Sequence, residues 1–176
     1  EFKNIDIAEP GFLNISFKII FWQKHLAKII QEKSKYGSNN NIKKKYNIEF
    51  VSANPTGPLH VGHCRGAILG DSLSNILIFN GNKVTKEYYV NDYGGQIKNF
   101  VTSVYYRILE IKKNVLFPNN ANLYPGDYII DIAKKIIKSE KIKKFDNFDD
   151  IYKKLSSESL KYSMKLIKTD LNFLGI

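Results

Sequence analysis

Two histidines, His60 and His63, stand with Gly62 at the predicted start of a helix. Their imidazoles can donate hydrogen bonds to phosphate oxygens, and the free N–H groups of a helix N-terminus attract anions. Gly62 has no side chain, so an anion can approach the backbone closely. These residue types at this spacing indicate phosphate chemistry.

A strand, a tight turn and a helix must position the histidines. Residues 48–51 are rich in β-formers and predict a short buried strand. The Pro- and Gly-rich residues 54–58 fit neither a helix nor a strand interior and predict a turn. Apolar residues then recur about every 3.6 positions, which predicts a helix over 61–79.

A second strand completes a βαβ unit. The residues Asn80-Gly81-Asn82 indicate a helix end, and residues 84–90 alternate as a strand does. This order predicts an α/β fold with a Rossmann-like parallel sheet and a right-handed crossover. Ligands bind beyond the carboxyl ends of such strands, which here are Ser52-Ala53-Asn54 and Asn91-Asp92.

The remaining segments are predicted from turns and helical spacing. Residues 5–15 indicate a strand, a Pro-Gly turn and a strand, and residues 34–46 indicate a polar loop. Trp22 and His25 are interpreted as packing or surface residues of a helix, not as catalytic groups. Further helices are predicted at 17–33, 96–112, 127–139 and 148–173.

Composition limits the class of protein. Hydrophobic residues make up 43% of the 176 residues, which predicts a folded globule. The net charge of +10 suits a polyanion such as RNA, although the abundant Lys, Asn and Ile are equally what an AT-rich genome produces. The single cysteine, Cys64, excludes an internal disulfide and a cysteine-cluster metal site. No apolar run approaches the ~20 residues of a membrane span, and no signal-peptide pattern opens the sequence, so we expect a soluble, cytoplasmic protein.

Two strings of residues resemble one family. His60-Val61-Gly62-His63 matches the His-x-Gly-His signature of class I aminoacyl-tRNA synthetases, and the wider string from Ser52 to His63 resembles the bacterial type of arginyl-tRNA synthetase. The string from Tyr89 to Ile97 resembles the same family, except that Tyr93 stands where alanine or tryptophan is more usual. The residues Ala8-Glu9-Pro10-Gly11-Phe12 resemble the end of its N-terminal tRNA-binding domain.

The resemblance implies activation of L-arginine by ATP, with Mg²⁺ accompanying the ATP and no protein-bound metal, and transfer to tRNA(Arg). It implies that His60 and His63 stabilise charge on the reacting phosphate and that Gly62 keeps the ATP path open. It places Glu49, Ser52, Ala53, Asn54 and His63 against the arginine substrate. It also places four further residues along the same cleft: Asn91, Asp92, Gly94 and Gln96. We expect a monomer.

By the same resemblance, residues 1–45 are the end of the N-terminal domain and a linker, 46–112 the first half of the catalytic domain, and 113–176 a helical insertion. Lys33-Ser34-Lys35 is not the family's Lys-Met-Ser-Lys-Ser loop, because it lies upstream of the first signature. The resemblance implies that this loop lies beyond Ile176. We therefore expect the 176 residues alone not to aminoacylate tRNA. Two alternatives stay open: another class I-like nucleotidyltransferase, and a non-catalytic tRNA-binding paralogue.

Overall fold

The computed structural model describes residues 1–39 and 43–176. It divides into two compact units, one made of Glu1–Lys45 with Ile76–Lys83 and one made of Tyr46–Asn75 with Val84–Ile176. Three residues of the predicted loop over 34–46, residues 40–42, lie outside the described residues. The predicted boundaries at 45/46 and 112/113 stay predictions.

The first unit contains a β-hairpin and a helix. Strand β1, Phe2–Ala8, pairs antiparallel with β2, Phe12–Phe17, across the predicted Pro-Gly turn, and helix α1 follows at Ile19–Glu32. Trp22 and His25 pack here within a row of aromatic rings, and His25 Nε2 lies 2.6 Å from the Tyr36 hydroxyl. Trp22 is half exposed, and both residues fit the packing or surface role that the sequence indicates.

A two-stranded parallel sheet carries the βαβ unit, with β3 at Lys45–Glu49, α2 at Val61–Phe79 and β4 at Lys83–Glu87. The Lys83 N–H donates to the Lys44 carbonyl and the Phe50 N–H to the Glu87 carbonyl, so the two strands run in the same direction. The predicted α/β fold with a small parallel sheet is confirmed. Both strands end earlier than predicted, because the backbone leaves the extended conformation after Glu49 and after Glu87.

Helix α2 buries small residues, Ala67, Gly70 and Ser74. A Cβ at Gly70 would lie 2.7 Å from Cδ1 of Phe50 and closer still to Cγ, so only glycine allows this helix–strand contact. The Ser74 hydroxyl donates to the Gly70 carbonyl at 2.7 Å. The larger apolar residues whose spacing predicts the helix lie exposed in this structure, including Val61, Ile68, Leu69 and Leu73.

Three helices form the main core of the second unit. Helix α3 spans Gly95–Lys113, α4 spans Asp127–Ser139 and α5 spans Phe148–Phe173, and each packs on the other two. Asn147 caps α5 by accepting a hydrogen bond from the Asp149 N–H at 3.1 Å. Among the described residues, no helix has the length and hydrophobicity that crossing a bilayer requires. Buried apolar side chains fill the core, among them Phe100, Val104, Ile108, Ile129, Ile132, Ile136 and Leu155.

Candidate functional site

The chain turns sharply just after β3. Val51 and Ser52 have φ values of 68° and 37°, the left-handed region that L side chains rarely occupy. The segment after β4 holds this turn in place: the Tyr89 N–H donates to Ser52 Oγ at 3.0 Å, and the Tyr88 hydroxyl donates to the Ala53 carbonyl at 2.6 Å. Such strain persists only where surrounding bonds over-determine it, and it clusters at functional sites.

Three side-chain amides connect the ends of the two parallel strands. Asn91 Nδ2 donates to Asn54 Oδ1 at 3.0 Å, and Asn54 Nδ2 donates to Gln96 Oε1 at 2.6 Å. We call these three residues the amide relay. The relay orients each amide, because a donor must face an acceptor at both junctions. Asn54 keeps one N–H and one oxygen lone pair for a ligand.

The two histidines lie at the N-terminus of α2 as a stacked pair. Their ring centroids are 3.7 Å apart with an interplanar angle of 20°. The Gly62 N–H donates to His60 Nδ1 at 3.1 Å, and the His60 N–H donates to His63 Nδ1 at 3.4 Å. Because both Nδ1 atoms accept, the neutral rings carry their protons on Nε2. The pair therefore presents two Nε2–H donors, which suit the oxygens of a phosphate.

Comparison with known proteins identifies the family to which the turn after β3 and the histidine pair belong. Residues 25–143, more than half of the chain, match the model of the family described as tRNA synthetases class I (R), catalytic domain. The chain belongs to this synthetase family.

Individual relatives agree with the family match. The chain is 60% identical to the arginine–tRNA ligase of Pelagibacter ubique over 99% of its own length and 30% of that protein. It is 46% identical to the arginine–tRNA ligase of Allorhizobium ampelinum over 77% of its length and 23% of that protein. A crystal structure from Campylobacter jejuni, assigned to the arginyl-tRNA synthetases, aligns with a TM-score of 0.77 at 32% identity, over 89% of this chain and 34% of that one. The chain thus spans about a third or less of the proteins that it matches.

The synthetase signature residues separate into two bonded groups. Ser52, Ala53, Asn54, Asn91 and Gln96 belong to the first, joined through the relay and the bonds from Tyr88 and Tyr89. His60, Gly62 and His63 form the second.

The other predicted residues lie apart from these bonds. Glu49 ends β3 with an exposed side chain, and within the described residues it makes no hydrogen bond or ion pair. Asp92 and Gly94 line a groove of about 810 Å³ that also borders Tyr93 and Tyr152. Asp71, a further residue of α2, forms an ion pair with Lys86 of β4.

Three residues around the synthetase signature were not expected from the sequence: Tyr88, Tyr128 and Asp170. The Tyr88 hydroxyl reaches the Ala53 carbonyl from the predicted second strand, so the βαβ prediction contained a signal for it. The Tyr128 hydroxyl donates to the turn that leads to His60, from 72 residues away in the sequence. The Asp170 carboxylate accepts from the same turn, from 111 residues away. No local pattern could indicate contacts over such separations.

The surroundings of His63 favour its neutral imidazole. Burial, and to a smaller extent the charge of nearby His60, lowers the pKa of His63 below its ordinary value of 6.5. The folded chain therefore holds this proton less tightly than the unfolded chain. The contribution of the neutral His63 imidazole to folding stability is present above pH 6.5. It is lost as the pH falls through the pKa of His63 in the folded chain.

A proton NMR titration of the 176-residue chain is expected to give His63 a pKa below 6.5. The variant His60→Gln is expected to raise that pKa only in part, because burial is the larger cause. A His63 pKa at or above 6.5 in the unchanged chain would contradict the stacked, partly desolvated geometry.

Proposed function

We propose that this chain supplies the ATP- and arginine-binding part of an arginine–tRNA ligase. The observation that carries the proposal is the pair of Nε2–H donors at the start of α2. The amide relay supplies a second, separate set of hydrogen-bonding groups. Family membership and the two arginine–tRNA ligase relatives support it. They favour it over another nucleotidyltransferase and over a non-catalytic paralogue.

His60 and His63 would act on the α-phosphate of ATP. Attack by the arginine carboxylate develops negative charge on a five-coordinate phosphorus, and positioned donors stabilise that charge without forming a covalent intermediate. A Cβ at Gly62 would lie 3.0 Å from His60 Cε1, so glycine at this position lets the His60 ring lie against the start of α2. The histidine turn presents N–H donors, which bind phosphate and not cations, so Mg²⁺ would be held by the phosphates of ATP.

The turn after β3 would receive the arginine. The remaining N–H and lone pair of Asn54 match a carboxylate and an ammonium respectively, and Ser52 and Ala53 lie beside it. The exposed carboxylate of Glu49 suits a guanidinium, which is planar and always charged. Asn91 and Gln96 would act through the relay, while Asp92 and Gly94 border the neighbouring groove.

The third substrate would be tRNA(Arg), a polyanion that suits the net charge of +10. We further propose that the protein acts as a monomer in the cytoplasm. The family and the names of the relatives support tRNA, arginine and ATP as partners.

The test is a chimera in which this chain replaces the matching 30% of the Pelagibacter ubique ligase. We expect arginine-dependent exchange of pyrophosphate into ATP, in the presence of tRNA(Arg), within about tenfold of the parent enzyme. Lysine and ornithine are the matched controls, since neither carries a guanidinium. A folded chimera without arginine-dependent exchange would refute the proposal.

A further inference from the structure

The turn that leads to His60 is held from outside by two helices of the same unit. The Tyr128 hydroxyl on α4 donates to the Thr56 carbonyl at 2.9 Å. The Asp170 carboxylate on α5 accepts a hydrogen bond from the Leu59 N–H at 3.0 Å. Thr56 and Leu59 are the two ends of the segment that enters the histidine pair, so both ends have a fixed partner.

Packing restricts this segment further. A Cβ at Gly57 would lie 3.1 Å from the Tyr128 hydroxyl oxygen and 3.2 Å from its Cζ, so the ring lies directly against the Gly57 backbone. Pro55, just before the segment, is fully buried. Burial raises the pKa of Tyr128 to about 12, and the hydroxyl consequently remains a donor at any assay pH near neutrality.

We propose that Tyr128 and Asp170 are positioning residues for the reaction: they set the path of residues 56–59 and thereby the placement of the His60 and His63 rings. We call them the helical clamp. The inference rests on the proposed function. Neither residue touches the reacting atoms; each acts through the backbone that carries His60.

The chemistry makes such a clamp effective. Stabilisation of a phosphoryl transition state depends on donors placed to a fraction of an ångström, and a displacement of about 1 Å far from the chemistry can cost about 10²-fold in rate. The Leu59 N–H lies one residue before His60, and the Asp170 bond fixes its direction. A carboxylate acceptor makes this the stronger of the two tethers.

Kinetics of the chimera test the clamp. Tyr128→Phe keeps the ring and removes the hydroxyl, and it is expected to lower kcat for pyrophosphate exchange about threefold to tenfold. Asp170→Leu is expected to lower kcat about tenfold or more, because its acceptor is charged. KM for arginine and for ATP is expected to stay within about twofold, since the binding groups remain and the effect falls on the transition state.

Conservative and control variants separate positioning from stability. Asp170→Asn keeps an acceptor oxygen and is expected to restore kcat to within about twofold. Tyr106→Phe and Asp131→Asn remove groups on α3 and α4 that make no hydrogen bond within the described residues, and they are expected to leave kcat unchanged. All assays are run at a temperature at which thermal unfolding curves show each variant to be folded. Unchanged kcat in both clamp variants, or failure of Asp170→Asn to restore it, would overturn the proposal.

A readout without catalysis distinguishes failure of the clamp from failure of the proposed function. In the 176-residue chain, ring ¹⁵N shifts report which imidazole nitrogen of His60 and His63 is protonated. We expect Tyr128→Phe and Asp170→Leu to shift these signals and to speed hydrogen exchange of the Leu59 amide, and the two controls to do neither. An inactive chimera whose clamp variants still shift the histidine signals would refute the ligase proposal but not the clamp. Histidine signals that do not move in the clamp variants, together with an unprotected Leu59 amide in the unchanged chain, would refute the clamp.

Discussion

Replacing His63 with alanine in the chimera is expected to lower the rate of arginine-dependent pyrophosphate exchange by about 10²–10³-fold, roughly 3–4 kcal/mol of transition-state stabilisation. The Nε2–H of this ring is one of the two donors that the stacked pair presents. Loss of one preorganised donor leaves developing phosphate charge without a partner in a site where water is a poor substitute. His60→Ala is expected to cost a similar factor, because its Nε2–H is the second donor.

Matched amide variants test whether the donor atom itself matters. The amide nitrogen of glutamine reaches about as far as Nε2 of histidine, whereas that of asparagine reaches only as far as Nδ1. His63→Gln is therefore expected to retain more exchange activity than His63→Asn, although both remove the imidazole. His25→Ala, in the aromatic row of the first unit, serves as the control and is expected to leave the rate unchanged. A His63→Ala chimera that keeps more than a tenth of the parent rate would contradict the assigned role.

Gly70→Ala is expected to destabilise the 176-residue chain by about 1–3 kcal/mol, in spite of the better helix propensity of alanine. The added methyl would overlap the root of the Phe50 side chain, at Cβ and Cγ, which cannot move aside without displacing the strand end. Gly66→Ala on the same helix is the matched control. A Cβ there meets nothing within 4 Å, and the substitution is expected to stabilise by about 0.5–1 kcal/mol.

A double-mutant cycle of Phe50→Ala and Gly70→Ala, measured by chemical denaturation, tests whether the overlap is the cause. If the overlap with Phe50 is the cause, Phe50→Ala and Gly70→Ala together cost less than the sum of the single effects. Equal stability of the Gly66 and Gly70 variants would show that α2 does not pack on Phe50 as described.

The α-helix boundaries could be predicted to within two residues, and those of three helices to the residue, and the reason is local. Helices α2, α4 and α5 begin and end where 61–79, 127–139 and 148–173 predict. Each boundary has its own short-range signal: Gly81 at positive φ after α2, Gly126 before α4, and the Asn147 cap of α5. Both strands of the parallel sheet end earlier than predicted. In β3 the reason is that Val51 adopts a left-handed conformation, which β-propensity does not indicate.

The buried face of α2 and the supports of the candidate site depend on distant partners. Apolar spacing located the helix but not its buried face. That face consists of small residues, and Phe50, the residue that follows β3, lies against Gly70. The signature strings located the histidines by resemblance. The backbone N–H groups that donate to their Nδ1 atoms, and the tethers from Tyr128 and Asp170, follow only from coordinates.

The amide relay gives the candidate site a polarity of its own. Turning one of its three amides by itself would set two NH₂ groups, or two carbonyls, against each other, so the amides can reverse only together. Asn91, Asn54 and Gln96 therefore behave as one orientational switch with two settings. Whatever holds the free end of Gln96 on α3 therefore also decides which atom Asn91 presents after β4, two hydrogen bonds away through Asn54.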